Sequence, residues 1–226
     1  MNVVLLHAFP LDERMWEPQL PSLATHDVTA PNLYDLGGSS VDRWAQRILD
    51  EVEGDLVAVG ASMGGYVALA MAQEAPERIR GLLLAGSRPD ADSPERRAGR
   101  AETISLIEEA GAEGLWENQR EKLFLEEPPG PAREMALSRA TAELVRGVEA
   151  LRDRADRSGI LASLQVPVVF ALGAGDLFFP VKEARAFAEQ APLGRLVVFE
   201  RSRHLPNLEQ PAEFNQTLLE LLSSAG

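Results

Sequence analysis

A serine, an aspartate and a histidine can together make a hydroxyl nucleophilic, and this chain offers one of each in a suitable setting. Ser62 lies in Gly60-Ala61-Ser62-Met63-Gly64, with Gly65 following. An apolar run at 56–59 comes directly before it and a helical pattern directly after. That strand–turn–helix context is what a G-x-S-x-G sequence needs to act as a nucleophile elbow. The turn strains the serine backbone, and side chains two positions either side would collide with the neighbouring strand or helix, so glycine is required there. It also sets the Met63 N–H at a helix N-terminus, where negative charge is favoured.

A serine hydroxyl is a poor nucleophile near neutral pH and needs an adjacent base. His7, His26 and His204 are the only imidazoles in the chain. His204 falls between the last predicted strand and the last predicted helix, on the same edge as Ser62, and is the expected general base. His26 reads as a surface residue, and His7, at a strand end, as one that orients a loop. The third member must be a carboxylate that fixes the histidine tautomer. Asp176, in Gly173-Ala174-Gly175-Asp176-Leu177-Phe178-Phe179-Pro180, sits just beyond a strand among apolar neighbours, where an unpaired carboxylate would be costly. An oxyanion needs two backbone donors. The N–H groups of Met63 and of Phe9, in His7-Ala8-Phe9-Pro10, are the candidates, since Pro10 has none. Trp16, Trp116, Phe124, Phe178 and Leu205 are expected to wall a largely apolar substrate pocket suited to short acyl chains.

Composition removes several other chemistries. With a formal net charge of −13, the surface repels phosphate backbones, so no nucleic-acid partner is expected. The chain has no cysteine, which excludes disulfides, thiolate metal sites and a thiol nucleophile. Three scattered histidines argue against a zinc centre, and neither metal nor cofactor is expected. No stretch approaches the roughly 18 apolar residues of a membrane span, and the N-terminal segment lacks the features of a leader, so no membrane association and a cytoplasmic location are expected.

The elements that must position these residues follow from hydrophobic pattern. Continuous apolar runs at 3–6, 56–59, 82–85, 168–172 and 196–199, with a weaker one at 27–30, predict strands buried on both faces. Helical patterns at 41–52, 63–73, 181–190 and 212–222 alternate with them, which implies an α/β fold with a mostly parallel sheet of about six strands. Residues 90–163 break the rhythm. They contain about three helices and no convincing strand, and predict a helical cap inserted into a core formed by residues 1–89 and 164–226.

Taken together, these segments resemble the α/β-hydrolase superfamily. His7-Ala8-Phe9-Pro10 is similar to its oxyanion loop, and Gly60 to Gly65 followed by Ala75-Pro76-Glu77-Arg78-Ile79 to its elbow and helix. Gly175-Asp176 and His204-Leu205-Pro206-Asn207-Leu208-Glu209-Gln210-Pro211 resemble the acid and base segments, in the family's order of serine, aspartate, histidine. The stretch around Pro89-Asp90-Ala91-Asp92-Ser93-Pro94-Glu95 is similar to enol-lactonase-like and carboxylesterase members. Ala8 stands where the family has glycine, Asn32 where it has an acid, and the family's N-terminal hairpin is absent. An edge strand left without that hairpin could be covered or paired, as a monomer or a homodimer. The resemblance implies hydrolysis of a small ester or lactone through an acyl-enzyme. Alternatives on the same triad are a cofactor-free haloperoxidase or perhydrolase and a carbon–carbon bond hydrolase. A non-catalytic ligand-binding protein is the alternative of another class.

Overall fold

The computed structural model describes residues Met1–Gly226. Its strands are β1 (Asn2–Leu6), β2 (Asp27–Thr29), β3 (Leu56–Ala61), β4 (Ile79–Ala85), β5 (Val168–Gly173) and β6 (Gly194–Phe199). They form one sheet in the order β2-β1-β3-β4-β5-β6, and every neighbouring pair is parallel. The reason the runs are apolar without alternation is visible in where successive side chains go. Along β1, Val3 and Leu5 enter the core on one face and Val4 and Leu6 the core on the other. Along β3, Val57 and Val59 face one core, Leu56 and Ala58 its counterpart. Both side-chain directions of an inner strand are dry, so neither tolerates a polar residue. The edge strands β2 and β6 are only partly buried.

The crossover helices are α1 (Val41–Glu51), α2 (Met63–Glu74) and α6 (Val181–Ala188), whose buried residues join the core on one face. Between β4 and β5 lie α3 (Pro94–Leu123), α4 (Ala132–Leu137), α5 (Thr141–Asp153) and a short 3-10 turn, with no strand. Gly111, at φ 63°, divides α3 into two helices across a kink. Beyond β6 come the single turn α7 (Pro206–Glu209) and α8 (Pro211–Ala225), which starts on a proline and packs Phe214 and Leu218 on the opposite face of the sheet. No helix is long and apolar enough to cross a membrane.

Because all six strands run the same way, the segments that follow them emerge at one edge. The loop of Phe9 follows β1, Ser62 follows β3, the helical insertion follows β4, Asp176 follows β5 and His204 follows β6. Residues more than a hundred positions apart in sequence are therefore delivered to one place.

Candidate active site

Ser62 is the whole turn between β3 and α2. Its φ of 47° and ψ of −109° make it the one non-glycine residue with positive φ. Such a conformation costs on the order of 1–3 kcal/mol and persists only when neighbours enforce it. Here its N–H donates to the Ala85 carbonyl (2.7 Å), and its carbonyl accepts from the Gly65 N–H and the Ser87 hydroxyl (3.0 Å each). The flanking glycines are spatial requirements. A Cβ on Gly64 would lie 2.0 Å from the Leu6 carbonyl oxygen, and one on Gly60 2.4 Å from the backbone of Gly64.

His204 and Asp176 meet beside this turn. His204 Nδ1 is 2.8 Å from Asp176 Oδ2, and both side chains are buried. Asp176 Oδ1 accepts from the N–H groups of Phe178 (2.8 Å) and Phe179 (3.1 Å). The carboxylate is thereby oriented by its own loop before it orients the histidine. The His204 ring lies 4.7 Å from that of Phe178, and the His204 backbone N–H donates to the Leu123 carbonyl at the end of α3 (3.1 Å). Gly86, at φ 58°, gives the ring its place: a Cβ there would come within 2.8 Å of His204 Cε1. The short stretch Ala85-Gly86-Ser87 thus supports both Ser62 and His204. Its sequence signal, a strand ending in a small-residue turn, is visible only once the partner strands are known.

Ser62 and His204 open onto one cavity with Phe9, Tyr66, Arg100, Gln119, Leu123, Leu151 and Phe178. Its volume is about 40 Å³. Phe9 follows β1 and its N–H meets no acceptor within the chain. Met63 is the first residue of α2, where a helix leaves N–H groups free, and its side chain is buried in the core.

Of the aromatic and aliphatic residues expected to wall the pocket, only Phe178 does so. Trp16, Trp116, Phe124 and Leu205 are instead buried in the core on the α8 side of the sheet. Trp16 packs on Phe214 and Trp116 on Phe124, each pair with ring centroids 6.2 Å apart. Leu205 follows His204 directly and points the other way, into that core. Large apolar side chains gain most where water is fully excluded, and the core offers this where a cavity mouth does not. Nor is the pocket largely apolar: Ser62, Arg100, Gln119 and His204 supply polar atoms to its wall.

His7 lies outside this cavity and holds the first loop. Its Nδ1 is 3.1 Å from the Ala8 carbonyl, and its Nε2 accepts from the Leu33 N–H at 2.9 Å. His26 is half-buried beside Thr25, away from the site. Burial pushes the His7 pKa down from 6.5 to about 4. The unfolded chain therefore takes up a proton there before the folded one does. The resulting stabilisation is complete above pH 6.5 and is lost as pH falls toward 4. Over that window His7 should account for a loss of about 3 kcal/mol. Urea unfolding of wild type and His7→Gln at pH 7 and pH 4.5 checks this. The wild type should lose more stability than the variant, and equal losses would remove His7 as the cause.

Over residues 3–217 the chain matches the alpha/beta hydrolase family, and it belongs to that family. Among its relatives is a pimeloyl-[acyl-carrier protein] methyl ester esterase of Aromatoleum aromaticum, 29% identical over 94% of each chain. One of the same description from Klebsiella pneumoniae is 28% identical, covering 100% of this chain and 95% of that protein. Among solved structures, a thermophilic esterase from Thermogutta terrifontis with malate bound superposes with a TM-score of 0.90 and 28% identity, over 100% of this chain and 90% of that one. An enol-lactonase from Burkholderia xenovorans shares the fold, with a TM-score of 0.83 and 21% identity over 98% and 91% of the two chains. The chain is a hydrolase of this family.

Proposed function

We propose that the chain is a serine esterase that cleaves a small carboxylic ester or lactone through an acyl-enzyme on Ser62. The observation that carries this reading is the 2.8 Å contact of His204 Nδ1 with the Asp176 carboxylate, at the wall of the cavity that Ser62 also lines. With Nδ1–H held by Asp176, His204 Nε2 is left as an acceptor. Ser62 Oγ attacks the ester carbonyl carbon as Nε2 takes its proton, and the N–H groups of Phe9 and Met63 receive the oxyanion. Collapse of this intermediate expels the alcohol, which leaves with the proton from His204. Water then attacks the acyl-enzyme, giving its proton to Nε2, and the acid departs as Ser62 is reprotonated.

Residues 90–163 act in this reading as a cap on a core of residues 1–89 and 164–226. Arg100, Gln119, Leu123 and Leu151 come from that stretch to the cavity wall. The cavity at Ser62 is small, about 40 Å³, which favours short acyl groups. A cytoplasmic, monomeric or homodimeric enzyme is part of the proposal. A chain without cysteine needs no oxidising compartment to fold.

A fluorophosphonate, which reacts with an activated serine, should label the native protein once per chain, on the peptide that contains Ser62. Labelling should be lost on unfolding in urea, and p-nitrophenyl acetate should be turned over before treatment and not after it. A native protein that neither takes the label nor hydrolyses the ester is not a serine esterase.

A further inference from the structure

Tyr66, Arg100, Gln119 and Phe178 line the Ser62 cavity and also a second, larger pocket of about 310 Å³ beside it. In a chain of net charge −13, this second pocket is lined by Arg88, Arg96, Arg100, Lys122 and Arg154 against a single carboxylate, Asp92. Part of that charge is taken up within the fold. Asp92 meets Arg154 at 2.7 Å and Arg100 Nε at 3.0 Å, while Asp90 and Glu183 meet Arg88 and Asp90 also meets Arg96. Three carboxylates thus face five cations. Lys122 has only the Asn118 amide oxygen as partner, and Arg100 spends only its Nε–H, leaving its terminal N–H groups without an acceptor.

The same wall carries two polar side chains that no group of the chain pairs. Gln119 is 9% exposed and Tyr66 6% exposed, and neither the amide nor the hydroxyl hydrogen-bonds to any group of the chain. Both line the two cavities, so their donors are available to a ligand there. An amide N–H, a phenol O–H and a guanidinium edge next to a lysine form a donor set suited to a carboxylate. Nothing in the attack of Ser62 on an ester requires them.

We propose that this wall binds an anionic group of the substrate, so that the preferred ester carries a carboxylate a few bonds from the carbonyl that Ser62 attacks. The proposal rests on the esterase reading above and narrows it to half-esters and acid-bearing lactones. The excess positive charge draws the anion into the vestibule, and Arg100 and Gln119, common to both cavities, hold it while the carbonyl reaches Ser62.

Mono-p-nitrophenyl glutarate and p-nitrophenyl pentanoate share a leaving group and an acyl length and differ in the carboxylate. With the uncatalysed rate subtracted, wild-type kcat/KM should favour the glutarate by roughly tenfold or more, the factor expected for a charge-assisted hydrogen bond. Gln119→Glu, nearly isosteric, should bring the ratio below one. Lys122→Gln should lower it several-fold. Arg120→Gln removes a charge from α3 outside both cavities and should leave the ratio unchanged. A wild-type ratio of one or less, or a ratio that survives Gln119→Glu, overturns the proposal and leaves the esterase reading standing. If neither ester is hydrolysed, the esterase reading fails, and calorimetric titration with glutarate decides the anion site alone: binding abolished in Gln119→Glu upholds it, and no binding to wild type removes it.

Discussion

Replacing Ser62 with alanine should lower kcat for p-nitrophenyl acetate by about 10⁶-fold, to the residual rate that oxyanion donors and binding sustain without a nucleophile. The substitution removes one oxygen and keeps Cβ, so the space around the turn is unchanged. The contacts that enforce the turn are unaffected, because the Ser62 backbone makes them all: its N–H donates to the Ala85 carbonyl, and its carbonyl accepts from the Gly65 N–H and the Ser87 hydroxyl. Thermal unfolding should therefore shift by no more than ~2 °C, consistent with a surface-sized stability change. The pair of measurements separates a lost nucleophile from a lost fold. Hydrolysis that persists in Ser62→Ala at more than a hundredth of the wild-type rate would move the nucleophile elsewhere. Hydrogen peroxide offered in place of water as acyl acceptor would report on the perhydrolase alternative with the same protein.

The sheet was legible because of its physics. A strand covered on both faces must be apolar at every position, and β1, β3, β4 and β5 read as unbroken runs for that reason. Ser62 was legible because Gly60, Gly64 and Gly65 are forced by backbone approach, which leaves a trace in sequence. His204 and Asp176 followed from strand ends in a parallel sheet. The cavity wall left no such trace. Trp16, Trp116, Phe124 and Leu205 are large and apolar, which says that they are buried and says nothing of where. Tyr66 lies one turn beyond Ser62 on the uniformly buried α2, whereas Arg100 and Gln119 lie on α3, whose sequence pattern is mixed. Arg100 and Gln119 reach Ser62 only because α3, broken at Gly111, packs on α5 over the sheet edge. That placement depends on long-range contact, and no local spacing encodes it.

Replacing Asp176 with asparagine should lower kcat by about 10⁴-fold with little change in KM, less than the loss of Ser62 but far more than an electrostatic neighbour would cost. The argument rests on which way the new amide must face. Asp176 Oδ1 accepts from the N–H groups of Phe178 and Phe179, so an asparagine keeps its oxygen on that side. The opposite orientation would set an NH₂ against the N–H donors of Phe178 and Phe179, at a cost of about 1–3 kcal/mol for the buried unsatisfied group. The amide NH₂ is left facing His204 Nδ1, now placed where Oδ2 stood at 2.8 Å. Nδ1 becomes an acceptor, the imidazole proton moves to Nε2, and the nitrogen that should take the Ser62 proton already carries one. The geometry of the site survives while its chemistry stops. Fluorophosphonate labelling of Ser62 should slow in step with kcat, because both need the same base, and neutral-pH unfolding should show a fold still intact. Turnover within tenfold of wild type would reduce Asp176 to a turn residue whose contact with His204 is structural only.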